Sequence, residues 1–283
     1  MEKQFNTRSM IFTLFGDYIR HYGNVIWIGS LIRLLEEFGH NEQSVRAAIS
    51  RMNKQGWVKA EKVGNRSYYS LTERGKARME EASKRIYKTE APKWDGQWRI
   101  LVYTIPEEKR HIRDELRKEL VWSGFGLLAN SCWITPNPLE EQVKLLIEKY
   151  DIEEFVSFFR ASYEGMQTNE ELVTKCWDLK EINNRYKSFI QEYSQKYVLD
   201  QQRLENGELT DASCFVECAW LVHQYRKFLF IDPNLPAELL PSKWLGDSAA
   251  SLFNDYYKML QPGAKRFFES VYELGEVPET LQK

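Results

Sequence analysis

Asn41-Glu42-Gln43-Ser44-Val45-Arg46-Ala47-Ala48-Ile49-Ser50-Arg51-Met52-Asn53-Lys54-Gln55-Gly56 is the stretch that decides the fold of the first third of the chain. Asn41 is a good helix N-cap, Glu42 lies in the first turn, and Gly56 is placed to stop the helix. Val45, Ala48, Ile49 and Met52 recur at i, i+3, i+4 and i+7, so one narrow stripe is apolar. The opposite face carries Gln43, Ala47, Ser50 and Lys54, flanked by Arg46 on one side and by Ser44 and Arg51 on the other. No carboxylate follows Glu42. Such a helix has one face for a core and another suited to a phosphate-lined groove; an ordinary solvated basic face has the same pattern.

The neighbours of this helix decide between the two. Before it, Ile11, Leu14, Phe15, Tyr18, Ile19 and Tyr22 predict a helix ending near Gly23, and Val25-Ile26-Trp27-Ile28 a short strand. Ser30 is placed to cap a helix that turns Leu31, Leu34, Leu35 and Phe38 inward and stops at Gly39. Two helices joined by a short turn containing Gly have helix-turn-helix spacing. After Gly56, residues 57–63 alternate, Gly64-Asn65-Arg66-Ser67 turns, and Tyr68-Tyr69-Ser70-Leu71 returns as a strand before a helix capped by Thr72. This order predicts a winged helix-turn-helix over residues 1–90. In that arrangement the second helix of the pair enters the major groove of double-stranded DNA. Gln43, Ser44, Arg46 and Ser50 would then lie nearest base edges, Arg51 and Lys54 beside them, and the hairpin residues Lys62 and Arg66 at an adjacent groove or the backbone.

Charge supports a local anion-binding module. Residues 1–93 hold 17 Lys and Arg against 10 Asp and Glu, a net +7 on a chain whose total is −2. A basic head on an acidic body does not coat nucleic acid indiscriminately. The first residues contain no apolar core, and no run of about 18 apolar residues occurs, so neither a secretory leader nor a membrane span is expected. Four cysteines in 283 residues are too few for a disulfide scaffold, which fits reduced thiols in the cytoplasm.

Ala91-Pro92-Lys93 is expected to be a linker. Beyond it, strand 98–105, helix 107–122, strands 125–128 and 132–135, a helix opened by Pro138, and strand 155–163 give β-α-β-β-α-β. That is a ferredoxin-like domain over residues 91–167, a layout that names no activity by itself. Residues 168–283 are expected to be mostly helical: Ile182 to Tyr193 marks one helix, Asp211 or Ser213 caps another running to about Phe230, and two more cover 249–260 and 263–274. The fold class is thus α+β and multidomain.

Enzymatic signatures are weak. Cys214 and Cys218, with His223 following, have a spacing that fits core cysteines better than a zinc site. No nucleophile turn or phosphate loop occurs. No cofactor is expected, no catalytic residues are assigned and no metal ligands. The segment from His223 to Pro241 is the best candidate for a ligand-responsive site. Arg226 and Lys227 suit phosphates, and Tyr225, Phe228 and Trp244 suit an apolar group. The same aromatics also have core spacing, and Arg226 could pair with Asp232. Trp94, Asp95 and Arg99 form a second candidate cluster, which would serve equally as a domain interface.

The chain resembles the PaaX-type repressors of bacterial phenylacetate-degradation operons over nearly its whole length. The stretches that carry the likeness are 14–20 (Leu-Phe-Gly-Asp-Tyr-Ile-Arg), 44–52, 64–69, 94–99 (Trp-Asp-Gly-Gln-Trp-Arg), 176–179 (Cys-Trp-Asp-Leu) and 223–241. The resemblance implies a homodimeric repressor with an N-terminal winged helix, released from its operator by phenylacetyl-coenzyme A; the effector comes from the resemblance alone. The middle domain also resembles a small CRISPR-associated endonuclease, in which a carboxylate at the end of the first strand would serve a divalent metal. Thr104 occupies that position here, so a metal-dependent nucleic-acid-processing enzyme, the alternative function, is not expected.

Overall fold

The computed structural model describes residues 6–87 and 93–273. Ala91 and Pro92 of the expected linker, and Leu274 at the end of the last expected helix, lie outside the described residues. The chain divides into two compact units interleaved in sequence. The first comprises residues up to Tyr87 with Ile190–Arg226 and the chain from Ala250; the second comprises Lys88–Phe189 with Lys227–Ala249.

The first unit opens with α1 (Thr7–Asp17), a 3-10 turn over Ile19–Tyr22, and β1 (Val25–Trp27). The single helix expected to Tyr22 is therefore broken after Asp17, and Gly23 ends the 3-10 turn at φ +78°. Next come α2 (Ile28–Glu36), α3 (Glu42–Lys54), β2 (Val58–Val63), β3 (Arg66–Leu71) and α4 (Glu73–Ile86). Antiparallel pairing gives the order β1-β3-β2, with Trp27 opposite Tyr68 and Val63 opposite Arg66. Gly64, at φ +55°, and Asn65 form the two-residue hairpin turn; the positive φ is the conformation that glycine adopts at no steric cost.

Ser30 does not cap α2. The helix starts two residues earlier, and the buried Ser30 hydroxyl donates to the Val271 carbonyl (2.9 Å) and accepts from the Glu273 N–H (3.0 Å). A hydroxyl that finds tertiary partners has no need of the local backbone.

The second unit contains β4 (Trp98–Tyr103), α5 (Arg110–Trp122), β5 (Gly126–Ala129), β6 (Cys132–Thr135), α6 (Glu140–Tyr150) and β7 (Val156–Ala161). Its sheet runs β5-β6-β4-β7, antiparallel throughout, so β-α-β-β-α-β closes as a ferredoxin-like layer. Leu101, Tyr103 and Trp133 from the sheet pack with Leu116, Leu120 and Val143 from α5 and α6. α7 (Asn169–Cys176) follows, started by a capping box between Thr168 and Glu171.

Three helices complete the chain: α8 (Leu179–Glu205), α9 (Asp211–Tyr225) and α10 (Gly246–Val271). Thr210, not Asp211 or Ser213, caps α9, accepting from the Ser213 N–H at 3.1 Å. The two helices expected around Pro262 are one. Phe253, Tyr256, Leu260, Ala264 and Phe268 are each fully buried, at spacings of three and four residues that stay in register across Pro262. An internal proline costs about 3 kcal/mol, and burying several such side chains at roughly 1.5–3 kcal/mol each exceeds it.

A candidate nucleic-acid interface

The whole apolar stripe of α3 is consumed by the core: Val45, Ala48, Ile49 and Met52 are 0% exposed. The Asn41 side chain accepts from the Ser44 N–H (2.8 Å), and Gly39 takes φ +75° in the turn from α2. Every α3 residue expected to face a groove is on the outside. Gln43, Arg46, Ser50, Arg51 and Lys54 are exposed and Ser44 is partly so. Arg46 Nε donates to Glu42 Oε1 at 2.7 Å, a pair about half in water and therefore weak. Arg51 and Lys54 pair with no carboxylate among the described residues.

The hairpin is divided in its availability. Lys62 is exposed. Arg66 is instead held: its guanidinium lies 4.3 Å from the Trp27 ring centroid and 3.3 Å from Glu273 Oε2. Arg33 takes the other oxygen of Glu273 at 2.5 Å. The Arg33 contact, followed by Arg66, holds the Glu273 carboxyl below the usual glutamate value.

The effector candidates fall in both units. In the first, His223 is buried, with Nδ1 3.2 Å from the Thr13 hydroxyl of α1, and Tyr225 stacks on Phe253 at 4.1 Å. Arg226 Nη2 donates to the Ser9 carbonyl (2.8 Å) and to the Ser9 hydroxyl, while its Nε has no acceptor among the described residues. Burial lowers its pKa from the usual arginine value to about 10. In the second unit, Lys227 is exposed. Phe228 stacks on Tyr186 at 4.0 Å, and Trp244 meets the Tyr186 ring edge-on at 5.5 Å. The Tyr186 hydroxyl donates to Asp232, which also accepts from the Asn234 N–H (2.7 Å).

Trp94 Nε1 donates to the Gln97 carbonyl, and its ring meets Trp98 at 5.6 Å. Arg99, 1% exposed, is the most committed side chain of all the candidates. It donates to both oxygens of Asp95 (2.8 and 2.7 Å), to Glu140 (2.8 Å) and to the carbonyls of Gln97 and Pro136. Asp95 is held at about 2 by that fork. To bind a ligand phosphate, Arg99 would have to surrender a carboxylate.

Three family models cover most of the chain. One described as PaaX-like protein matches residues 6–75, one for the PaaX central Cas2-like domain matches 91–173, and one for the PaaX-like C-terminal domain matches 177–270. The transcriptional repressor PaaX of Escherichia coli K12 is 36% identical over 275 residues, which is 95% of this chain and 86% of that protein. The chain belongs to the PaaX family. Among solved structures, an uncharacterized protein of Mycobacterium tuberculosis superposes with a TM-score of 0.52 at 24% identity, covering 84% of this chain and 89% of the other, a likeness of fold alone.

Within this PaaX-family chain, Thr104 follows β4 as an exposed neutral hydroxyl, and its N–H is spent on the Phe155 carbonyl (2.8 Å). No three His, Cys, Asp or Glu side chains are grouped to hold a metal among the described residues. Cys214 and Cys218 are core residues; burial pushes the Cys218 thiol well up. No helix among the described residues is long and apolar enough to cross a membrane.

Two features escape the linear pattern. Asp17 is 5% exposed, accepts from the hydroxyls of Tyr87 and Tyr257 (3.0 Å), and is raised to about 6 by burial against the opposing pull of those bonds and of Arg20. The second is α1 itself, which bonds to Arg226 through Ser9, to His223 through Thr13, and to His40, in the turn before α3, through Thr7 (3.3 Å). A lone Asp inside an apolar helix was the available signal for the first. The second has none, because its partners are about 30 and 210 residues away.

Proposed function

We propose that the chain is a cytoplasmic transcriptional repressor of phenylacetate catabolism. It binds double-stranded operator DNA as a homodimer through a winged helix-turn-helix and is released by phenylacetyl-CoA. The observation that carries this reading is α3: a helix whose apolar stripe is wholly buried and whose outer face presents uncommitted cations and polar side chains beside a hairpin. Phosphate contacts from Arg51, Lys54 and Lys62 would supply salt-dependent affinity, and Gln43, Ser44, Arg46 and Ser50 the base contacts. That the Escherichia coli relative is a transcriptional repressor supports the same conclusion.

Release requires that the acyl-CoA bind one of two states more tightly. Arg226 is the effector residue best placed to report such binding, since it is a partly buried cation with no carboxylate partner among the described residues and bonds directly to α1. An anion arriving there would compete with Ser9 for the guanidinium. A shift of α1 would carry through Thr7 to His40 and the start of α3, and so change the spacing of the two recognition helices. His223, which bonds to Thr13 of α1, would move with it. The chain acts in this reading by binding, with no catalytic step.

The test is a release titration of the operator complex against phenylacetyl-CoA, other acyl-CoAs and the free acids. Release by phenylacetyl-CoA at a lower concentration than by the rest is expected. Equal affinity with and without every acyl-CoA would reduce the protein to a ligand-independent DNA binder, and metal-dependent cleavage of the duplex would favour the enzyme.

A further inference from the structure

A polar depression of about 430 Å³ lies where the N-termini of α1 and α3 converge, lined by Asn6, Thr7, His40, Asn41, Ser44 and Arg51 together with Gly39. We propose that it seats a single backbone phosphodiester of bound DNA, fixing the register of α3 on the duplex. The proposal rests on the DNA-binding reading above and adds to it the place of one positioning contact.

The lining is one-sided in charge. It contains no carboxylate and no large apolar side chain, and its one permanent ion is the Arg51 guanidinium, which pairs with no carboxylate among the described residues. Both helices that start here are long enough to carry a dipole, at 11 and 13 residues. Asn6 caps the Arg8 N–H (3.0 Å) and Asn41 caps the Ser44 N–H (2.8 Å), so each side-chain cap satisfies a single donor. A helix start leaves up to four N–H groups without intrahelical acceptors and a partial positive charge, which is why phosphates bind there.

His40 gives an observation independent of the helix ends. It is 5% exposed and lines the depression, and its Nδ1 meets the Thr7 hydroxyl at 3.3 Å. Its Nε2 has no hydrogen-bond partner among the described residues. A buried imidazole nitrogen without a partner costs about 1–3 kcal/mol, a cost that a core built only for packing avoids by using an apolar side chain. Burial also lowers its pKa below the ordinary histidine value, and Arg51 is the permanent cation of the lining.

Ser44 and Arg51 lie on the same flank of α3, seven residues apart, and the depression follows that flank. A helix lying in the major groove has a strand of backbone along each side. Along that flank Arg51 would meet one strand, while Ser44 stands at the edge of the face that turns Gln43, Ala47 and Ser50 toward the bases. Contacts of this kind set position and carry no sequence information.

The experiment is a methylphosphonate scan of a footprinted operator duplex, one neutral linkage per half-site at a time, with the full-length wild type and Arg51→Gln. One position is expected to weaken wild-type binding about tenfold and to have less than about a twofold effect on Arg51→Gln, as coupled partners do. Arg51→Gln should also lower affinity for operator and random duplex alike and reduce the salt slope by about one per half-site. Thr7→Val, which keeps shape and removes the hydroxyl on His40, should weaken both duplexes in the same way. An unchanged salt slope overturns the proposal, as does a scan in which Arg51→Gln tolerates no linkage better than the wild type. A loss confined to the operator would make Arg51 a base-reading residue and overturn it too. Wild type that binds no duplex at all would sink the DNA-binding reading together with the phosphate seat; the other outcomes sink the seat alone.

Discussion

Four arginines in two settings separate the parts of this molecule. Arg46 and Arg51 on α3 stand in water, one loosely held by Glu42 and the other by nothing among the described carboxylates. Arg99 in β4 is buried and Arg226 after α9 is partly buried, and they differ from one another: Arg99 is saturated by two carboxylates and two carbonyls, while Arg226 has Ser9 as its one polar partner among the described residues. An exposed arginine costs the fold little and is free for an incoming anion. A buried, saturated one is structural, because removing a ligand leaves a charge in the core. A partly buried, unsaturated one is a setting in which an incoming anion gains most, which is why the proposed effector response is assigned to Arg226 and not to Arg99.

The comparison breaks first at Arg99. Arg99→Met should destabilise the second unit by about 3 kcal/mol, the low end for a buried pair, because Asp95 and Glu140 remain partly in water and are screened there. Urea denaturation would read it, and a loss below about 1 kcal/mol would show that the network is not structural. Arg46→Ala should leave the urea midpoint almost unmoved, since the Glu42 pair is exposed. It should cost about 2 kcal/mol, or about thirtyfold, in operator affinity at fixed salt. Unchanged affinity would remove α3 as the recognition helix.

Arg226→Met sharpens the contrast between the buried cation and the partly buried one. Lacking a carboxylate to abandon, this site should lose little stability. Release by phenylacetyl-CoA should need about tenfold more effector, roughly 1.4 kcal/mol of coupling, while operator affinity without effector stays as in the wild type. Normal release in the titration would move the effector site elsewhere.

What was legible in the sequence divides along the same line. α3, its Asn41 cap, the Gly39 and Gly64 turns and the Thr72 cap were readable because each depends on residues within four positions. The ferredoxin-like layer was readable because alternation and helical periodicity switch cleanly between Trp98 and Ala161. Ser30 and Pro262 defeated local rules for tertiary reasons, a hydroxyl with partners at and just beyond the end of α10 and an apolar stripe that carries a helix through a proline, whereas Thr210 is a local cap one residue ahead of the expected one. At the candidate sites, chemistry was legible and availability was not. Arg66 and Arg99 look as open as Arg51 in the sequence, and only their partners show that they are engaged.

The buried side of the comparison has an acidic member, Asp17, and its pH signature follows from burial. The folded-state pKa of about 6 lies above the ordinary aspartate value of 3.8, so folding favours the protonated form. That contribution is fully present below the unfolded value and is lost as pH rises through about 6. Lowering the pH from 7 to 5 should therefore stabilise the first unit by about 1.4 kcal/mol, one pKa unit's worth. Asp17→Asn should remove that increment from the denaturation midpoint, and a variant that keeps the wild-type pH profile would place the titration elsewhere.

The smallest effect tests the exposed side at its weakest contact. Glu42 Oε1 holds Arg46 Nε at 2.7 Å, at the start of the helix proposed to read DNA. Glu42→Gln takes a negative charge away from the N-terminus of α3, which should cost the fold about 0.3–1 kcal/mol in lost dipole and ion-pair energy. The same change frees Arg46 and removes the one carboxylate of α3. DNA affinity should then rise about two- to threefold, roughly 0.5 kcal/mol, on operator and random duplex together, since long-range charge is blind to sequence. A rise on the operator alone would mean that Glu42 sets the orientation of Arg46 against a base. A fall would make Glu42 itself a reader of the sequence, because an acceptor at the start of a recognition helix can take a hydrogen bond from a cytosine amino group.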